Sequence, residues 1–276
     1  MLKTQKLAVK EQIVKTVVKS GNGGAVWVPK NWLGQEVVVI LPDKPKLAIR
    51  EKIIHLLEPY LKEIISVFIY GSYARHEETK YSDIDVMVIT NNKNIQIEVK
   101  EPNLEITAFE LSNFKKAIQK HPVMYYQIVQ EAEPLINFYV LDELRKIEID
   151  YKNFKNYLKE TKEHMESNKE LIELDKLDGG YVKSYSVLYS TMLRLRGIFI
   201  IICILNKKDF SNEKFKEWLI QNGITKQEFE QCYSAYRAVK NDKNIKNIDV
   251  KILVAEKLLS ILIKETSLIE SKLYGK

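Results

Sequence analysis

The sequence predicts a multidomain α+β protein: a small N-terminal β module, a central α/β domain with a mixed sheet, and a C-terminal all-α helical bundle. Residues 12–41 alternate apolar and polar side chains around the turn cluster SGNGG. Residues 47–140 mix helical spacing with short apolar strands. Beyond residue 141 glycine is scarce and apolar residues recur every three or four positions. The predicted domains are 1–45, 46–141 and 142–276.

Charge is distributed unevenly along the 276 residues. The net charge is +6, and residues 1–50 hold nine Lys and Arg against three Asp and Glu, whereas the remainder holds 34 of each sign. A hydrophobic content of 45% is that of a globular protein with a sizeable core, and it excludes collagen-like, disordered and disulfide-stapled classes. The basic N-terminal module suits a nucleic-acid partner.

Cysteine usage and hydropathy predict a cytoplasmic protein. Cys203 and Cys232 lack CxxC partners, which argues against a zinc cluster or a disulfide framework and for two buried core residues. The opening segment MLKTQKLAVKEQIVK lacks the apolar stretch of a secretory signal. The longest apolar run, Gly197–Leu205, is too short for a membrane span of about 20 residues, so we expect a buried helix segment and no membrane association.

The N-terminal module is predicted to consist of short strands. Gln12–Lys19 and Ala25–Pro29 alternate on either side of the SGNGG turn, and a third strand covers Glu36–Leu41 after the KNWLG segment. Two prolines near 42–46 then mark a linker, because the residue before a proline is disfavoured in a helix.

The central domain begins with a predicted helix over Leu47–Ile64. Its predicted strands are Val67–Tyr70, Ile84–Thr90, Leu104–Phe109 and Ile136–Val140. Five helices are predicted for the C-terminal bundle, near 142–177, 180–205, 211–222, 225–240 and 249–273.

The stretch VFIYGSYARHEETKYSDIDVMVIT, residues 67–90, carries the chemistry. A strand runs into Gly71-Ser72 and a helical segment follows, so backbone N–H groups are left free to bind phosphate. Asp83 and Asp85 lie two positions apart at the next strand, which predicts that both side chains share one face. Paired carboxylates can hold Mg²⁺ ions that also bind a triphosphate, and two such ions can assist phosphoryl-group displacement.

A third acid completes the predicted site. Glu105 lies in LEITAF, a strand expected to pair beside IDVMVIT, and its neighbours Leu104 and Ile106 are apolar. Alternation along the strand would therefore turn Glu105 towards the site.

These residues resemble the DNA polymerase β-like nucleotidyltransferase superfamily, in particular its minimal nucleotidyltransferases of the antitoxin type. Gly71-Ser72, a ten-residue spacer and Asp83-Ile84-Asp85 match the family wording GSxAR…SDID, including Arg75 and Ser82. His76 and Glu105 depart from it, because the family often has Gly and Asp there. The resemblance covers about residues 47–140.

The resemblance implies a role for each matching residue. Gly71 and Ser72 would bind the β- and γ-phosphates, and Arg75 and Ser82 would lie by the nucleotide. Asp83, Asp85 and Glu105 would be the catalytic acids and the ligands of two Mg²⁺ ions, with Glu105 helping to activate the incoming hydroxyl.

The N-terminal stretch Gly21–Gly34 resembles the swapped-hairpin modules of AbrB/SpoVT type. That resemblance implies a homodimer of interleaved hairpins that binds DNA through basic residues, here Lys15, Lys19 and Lys30. The alternative is a dimerisation clip whose lysines are only solvated.

The C-terminal region is similar to HEPN-like bundles, of the kind that follows the catalytic domain in kanamycin nucleotidyltransferase. HEPN ribonucleases use an Arg followed closely by a His. Arg237 fits the first position, but His164 lies far upstream and no His follows, so ribonuclease activity is not expected.

Together these features predict an Mg²⁺-dependent nucleotidyltransferase with ATP as substrate. It would transfer a nucleoside monophosphate, with AMP favoured, to a hydroxyl acceptor. A protein acceptor is favoured because this pairing of domains resembles toxin–antitoxin systems. The alternatives are a small-molecule acceptor, as in aminoglycoside modification, and a DNA-binding regulator that senses ATP without turnover.

Overall fold

The structure is a computed structural model that describes residues 15, 17–37, 46–79, 82–92, 95–99, 101–240 and 249–275. The chain divides into two compact units, Met1–Lys46 and Leu47–Lys276. The predicted fold class is confirmed: an N-terminal β-hairpin, a central mixed sheet with helices, and a C-terminal helical bundle.

The first unit contains a two-stranded antiparallel hairpin, β1 (Val18–Ser20) and β2 (Gly23–Ala25), followed by a 3-10 turn at Lys30–Trp32. These strands are shorter than predicted, and most of the predicted strand at 36–41 and the linker near 42–46 lies outside the described residues. None of the residues described before position 38 is buried, and Trp27 is 73% exposed. A two-stranded hairpin is only marginally stable in water by itself, which agrees with the short pairing.

The second unit is organised around a four-stranded mixed sheet in the order β5-β4-β3-β6. The strands are β3 (Ile64–Tyr70), β4 (Ile84–Thr90), β5 (Leu104–Glu110) and β6 (Glu133–Ile136). β4 pairs antiparallel with β3 and parallel with β5, while β6 pairs antiparallel with β3. The fourth strand was predicted at 136–140, but Asn137 takes a left-handed conformation (φ 54°) that ends β6 and begins the next helix.

Both faces of this sheet are covered, which explains why β3 and β4 are apolar on both sides. The helices are α1 (Lys46–Leu57), α2 (Gly71–Ala74), α3 (Leu111–Lys120), α4 (Pro122–Glu131) and α5 (Phe138–Arg145). On one face Ile53 and Leu57 of α1 pack against Val67 and Val86. On the other face Phe68 and Met87 join a core formed with α3, α4 and α5. The strand ends near α2 are left to form the candidate site.

The helical bundle consists of α6 (Phe154–Leu177), α7 (Tyr185–Leu205), α8 (Asn212–Gln221), α9 (Lys226–Lys240) and α10 (Ile252–Tyr274). The first predicted bundle helix, 142–177, is in fact divided between α5 and α6. The division includes a 3-10 turn at Tyr151–Asn153, which Asp150 caps by accepting a hydrogen bond from the Lys152 N–H. Cys203 and Cys232 are free and buried, as predicted.

Helix α7 is the core helix of the bundle. Among the described residues it alone is long and apolar enough to cross a membrane by length and composition. Twelve of its residues are nevertheless buried against the other helices, so its apolar character is explained by packing. The prediction of a buried segment at 197–205 is confirmed.

At Gly197 the α7 backbone lies against the side chain of Tyr157 from α6. A Cβ at this position would overlap the Tyr157 hydroxyl, whose ring is also covered by the Arg194 guanidinium at 5.1 Å. We expect Gly197→Ala to destabilise the protein by about 1–3 kcal/mol, because overpacking outweighs the better helix propensity of alanine. Chemical denaturation measures this change, with Gly180→Ala as the control since nothing lies within 4 Å of its added Cβ. Equal stability of the two variants would contradict the close packing.

Asp175 of α6 binds the residues that come just before α7. Its carboxylate accepts hydrogen bonds from Lys183 N–H (3.0 Å), Ser184 N–H (2.9 Å) and the Ser184 hydroxyl (2.9 Å). Burial raises the pKa of Asp175, but these hydrogen bonds outweigh it and hold the pKa below its ordinary value.

The lowered pKa of Asp175 predicts a pH-dependent stability difference. A depressed folded-state pKa stabilises the protein above the unfolded pKa and loses that effect as the pH falls through the folded pKa. We therefore expect Asp175→Asn to cost about 1 kcal/mol at neutral pH. The difference should shrink below about pH 4, as measured by thermal melting of both proteins from pH 3 to 8. A difference that stays constant with pH would contradict this role.

Candidate active site

Two acidic residues lie side by side at one end of the sheet, where β4 and β5 begin. Asp85 of β4 is the direct parallel partner of Glu105 of β5, and Tyr70 of β3 lies opposite Asp85 on its other side. Residues directly opposite one another in a sheet project to the same face. The structure therefore brings together two of the three acids that the sequence singled out.

The pKa of Asp85 is perturbed by its surroundings at this end of the sheet. Burial raises the pKa of Asp85 to about 6, and the charge of Glu105 adds to the effect, whereas the nearby ammonium of Lys240 opposes it. Perturbed carboxyls of this kind concentrate at functional sites. Lys240 is the last residue of α9 and belongs to the helical bundle. Sequence reasoning missed it, because a lysine at a helix end resembles any solvated surface residue.

Tyr70 adds a neutral hydroxyl beside the acids. Burial raises its pKa to about 12; a hydrogen bond with Thr107 opposes the shift, and the charges of Asp85, Glu105 and Glu131 reinforce it. The phenol therefore stays protonated at neutral pH and serves as a hydrogen-bonding group rather than a base. Glu131, the third charge, was not predicted from the sequence.

Asp83 lies just before the strand that carries Asp85, and its negative charge adds to the raised pKa of Asp85. It is exposed and precedes the first residue of β4, so it is not held by the strand as Asp85 is. Among the described residues no three His, Cys, Asp or Glu side chains come together closely enough to hold a metal ion. The three predicted ligands therefore do not form a closed protein cage.

The residues present nevertheless fit Mg²⁺ bound together with a nucleotide. Mg²⁺ is usually bound by one or two carboxylates together with substrate phosphates rather than by an all-protein cage. Asp85 and Glu105 supply adjacent oxygens. Burial and, second, the charge of Glu105 raise the pKa of Asp85, and a divalent cation would relieve both effects.

The Gly71–Ser72 turn lies directly against Asp85. Gly71 has φ +75°, a conformation that side chains disfavour, and a Cβ there would overlap Asp85 Oδ2 and lie 3.1 Å from Asp85 Cγ. Only glycine lets the backbone pass this close to the acid. The predicted phosphate-binding turn and the predicted metal ligand are therefore adjacent.

Arg75 and Ser82 are engaged within the protein. The Arg75 guanidinium, 11% exposed, donates to Glu77 Oε2 (2.8 Å) and Glu131 Oε1 (2.7 Å). The Ser82 hydroxyl accepts a hydrogen bond from the Thr79 N–H at 2.9 Å. Both residues support the backbone around the site in this structure, and a direct contact with the nucleotide stays a prediction for each.

The DNA-binding candidates lie in the other unit. Lys15, Lys19 and Lys30 are all exposed, with Lys19 on β1 and Lys30 at the start of the 3-10 turn. The lysines have the exposure that phosphate contacts require, and DNA binding stays a prediction.

Comparison with known proteins agrees with the site. Residues 51–138 match the family model described as polymerase beta, nucleotidyltransferase. This range contains the Gly71–Ser72 turn and all three acids, so the class that the fold and the site define is a nucleotidyltransferase. The chain carries a polymerase β-like nucleotidyltransferase domain, followed by a helical region. A search of curated proteins gave no significant match.

Two solved structures are similar over much of the chain. One is a spectinomycin adenyltransferase from Enterococcus faecialis, determined with ATP and spectinomycin, at 13% identity and a TM-score of 0.44, covering 78% of this chain and 99% of that one. The other is a nucleotidyltransferase-like protein from Exiguobacterium sibiricum, at 10% identity and a TM-score of 0.39, covering 82% and 78%. Because both TM-scores are low, the assignment rests on the family match and the site geometry.

Proposed function

We propose that the protein transfers a nucleoside monophosphate, AMP from ATP, to a hydroxyl group of an acceptor. The observation that carries this proposal is the Asp85–Glu105 pair lying against the Gly71–Ser72 turn within a polymerase β-like domain. A turn that can approach phosphate and a carboxylate pair that can hold a cation are the two parts that nucleotidyl transfer requires.

The residues of the site would bind either the triphosphate or the cation. Ser72 binds the β- and γ-phosphates with its hydroxyl, while Gly71, whose own N–H donates to Glu131, lets the backbone come close to them. Asp85 and Glu105, with Asp83, hold Mg²⁺. When bound, Mg²⁺ supplies charge neutralisation of the triphosphate and of the departing pyrophosphate. The Lys240 ammonium, close enough to influence Asp85, adds positive charge on the bundle side.

Nucleotidyl transfer needs only two reactants, the nucleoside triphosphate and the acceptor hydroxyl. The acceptor hydroxyl oxygen forms a bond to the α-phosphorus, and the bond from that phosphorus to the bridging oxygen of pyrophosphate breaks. The Glu105 carboxylate takes the hydroxyl proton, and it is suited to this because it is exposed at the end of the sheet next to Asp85.

A labelling assay tests the proposal and identifies the acceptor class. The protein is incubated with Mg²⁺ and each of the four nucleoside triphosphates labelled at the α-phosphate, with cell lysate, beside an Asp83→Asn/Asp85→Asn double variant. Label on a protein band that is lost in the variant supports a protein acceptor. Pyrophosphate release that requires a small-molecule extract supports a small-molecule acceptor. ATP binding with neither signal contradicts transfer and favours a sensor.

The N-terminal module supports a separate proposal, which is DNA binding by a homodimer. Its support is the positive excess in residues 1–50 and the exposure of Lys15, Lys19 and Lys30. We expect a gel shift with random duplex DNA at low salt that weakens steeply as salt rises, because phosphate contacts release counterions. A Lys15→Gln/Lys19→Gln/Lys30→Gln variant should lose the shift. No shift for the wild-type protein would leave dimerisation, measured by light scattering, as the role of the module.

A further inference from the structure

The predicted phosphate-binding turn is held from behind by a buried carboxylate. The Gly71 N–H donates to Glu131 Oε1 at 2.8 Å. The Glu131 side chain is only 7% exposed, and its Oε2 is buried with no hydrogen-bond partner among the described residues. A buried, incompletely solvated carboxylate is costly unless a positive charge compensates it. The cost of burying this carboxylate points to a role beyond packing.

Arg75 supplies the compensating charge and also fixes the carboxylate in place. Its Nη1 donates at 2.7 Å to the same Glu131 oxygen that accepts the Gly71 N–H. Its Nε donates at 2.8 Å to Glu77 Oε2. The planar guanidinium thus holds two glutamates in one geometry, which a lysine could not reproduce.

Glu77 connects this cluster to the helical bundle. Its Oε1 accepts from the Asn212 N–H at 2.9 Å and its Oε2 from Asn212 Nδ2 at 2.7 Å. Asn212 is the first residue of α8, where a carboxylate is favoured by the free N–H groups and the helix dipole. The Glu77 N–H also donates to the Ser72 carbonyl at 2.9 Å. Both residues of the turn are therefore tied to this cluster.

We propose that Glu131 is a positioning residue for the triphosphate, and that Arg75, Glu77 and Asn212 link the Gly71–Ser72 turn to the start of α8. This inference rests on the proposed function, since it assigns the turn to the β- and γ-phosphates. Glu131 holds Gly71 in its left-handed conformation against Asp85. The bundle thereby helps to set the distance between the phosphate-binding turn and the acids.

The sign of one measurement separates this role from direct phosphate binding by Arg75. Replacing Glu131 or Glu77 by Gln removes a negative charge near the turn and loosens Arg75. If Arg75 bound phosphate directly, or if only charge mattered, both variants would bind ATP more tightly. If the cluster positions the turn, both variants bind ATP more weakly despite the favourable change in charge.

The experiment measures ATP and AMP binding by calorimetry with Mg²⁺ for wild type, Glu131→Gln and Glu77→Gln. We expect the Kd for ATP to rise about tenfold in Glu131→Gln and by a smaller factor in Glu77→Gln, because a neutral Gln amide accepts weaker hydrogen bonds than the carboxylate does. The Kd for AMP, which lacks the β- and γ-phosphates, should not change. Glu228→Gln is the matched control, because Glu228 also pairs with a cation, Lys257, and accepts a backbone N–H.

Each outcome is decisive. Unchanged or tighter ATP binding in the variants overturns the inference, and so does an equal loss for ATP and AMP, which would mark a general structural defect. Should Glu131→Gln show no cooperative thermal transition, Glu77→Gln decides alone. Absence of ATP binding by the wild-type protein would instead refute the proposed function, and the inference with it.

Discussion

Asp85→Asn should abolish nucleotidyl transfer and, at the same time, raise the melting temperature of the metal-free protein. Loss of a ligand that holds charge-neutralising Mg²⁺ removes several kcal/mol of transition-state stabilisation, so kcat should fall about 10³-fold or more. The labelling assay measures this loss. The gain in stability has a different origin, namely the burial of the charged Asp85 carboxylate and, second, its repulsion by Glu105.

The pH dependence of this gain follows from the pKa of Asp85. Burial and Glu105 raise it to about 6 from an ordinary value of 3.8. A carboxyl whose folded-state pKa is raised destabilises the folded protein increasingly as the pH rises from the unfolded to the folded pKa. The variant should therefore gain on the order of 1 kcal/mol above pH 6, roughly 2–4 °C in Tm, and nothing below about pH 4. This figure is below the full linkage value because the site is partly solvated.

Two controls test whether the effects of Asp85→Asn are specific to the site. Asp178→Asn changes an exposed aspartate in the bundle and should alter neither activity nor the pH dependence of Tm. Mg²⁺ should raise the Tm of the wild-type protein more than that of Asp85→Asn, because binding stabilises only the folded state that can hold it. An active Asp85→Asn enzyme, or one that melts earlier than wild type at pH 7.5, would exclude Asp85 from the proposed role.

Gly71→Ala should be the most damaging single-methyl substitution in the site. The added Cβ requires a left-handed conformation at about 1–2 kcal/mol and also overlaps the Asp85 carboxylate. Either the turn or Asp85 must move, and a displacement of about 1 Å can cost about 10²-fold in rate. We therefore expect stability to fall by about 2–4 kcal/mol and transfer to fall at least about 10²-fold.

Gly223→Ala isolates the backbone contribution to this effect. Gly223 has φ +98° and nothing within 4 Å of an added Cβ, so it carries the conformational cost without the overlap. It should lose about 1 kcal/mol and keep full activity. Denaturant unfolding and the labelling assay, run on both variants, measure the two effects. Equal losses in both variants would contradict a close contact between Gly71 and Asp85.

The site residues that could be predicted are those whose relationship is local in the chain. Gly71, Asp83 and Asp85 lie within 15 positions of one another, and their meaning depends on one strand–turn–strand segment. Glu105 required one further step, the pairing of β4 with β5, which the structure confirms. Strand alternation and the demands of a tight turn are short-range constraints, so the residue pattern carries them directly.

Glu131, Lys240 and Asn212 could not be found in this way. Each lies at the end of a helix, in a segment whose polar residues resemble a solvated surface. Their significance arises from contacts across 60 or more positions, as between Gly71 and Glu131, or 135 positions, as between Glu77 and Asn212. No motif spacing links residues so far apart.

The boundaries of helices and strands also include some that the sequence predicts and some that it does not. The apolar run of 197–205 predicted a buried helix segment because a helix that is apolar on all sides is buried on all sides, which is a property of the segment itself. The end of β6 at Ile136 and the break before α6 were wrong in the prediction, because a left-handed Asn137 and the cap formed by Asp150 decided them.

The sequence by itself determined the fold class, the nucleotidyltransferase motif and the face of the sheet that carries the acids, since periodicity and turn chemistry operate over a few residues. The tertiary structure alone decided which distant groups interact: the Lys240 charge acts on Asp85, the Gly71 N–H donates to Glu131, and Glu77 accepts from the start of α8. Coulomb interactions and hydrogen bonds depend on distance in space. The chain acquires those distances only when it folds.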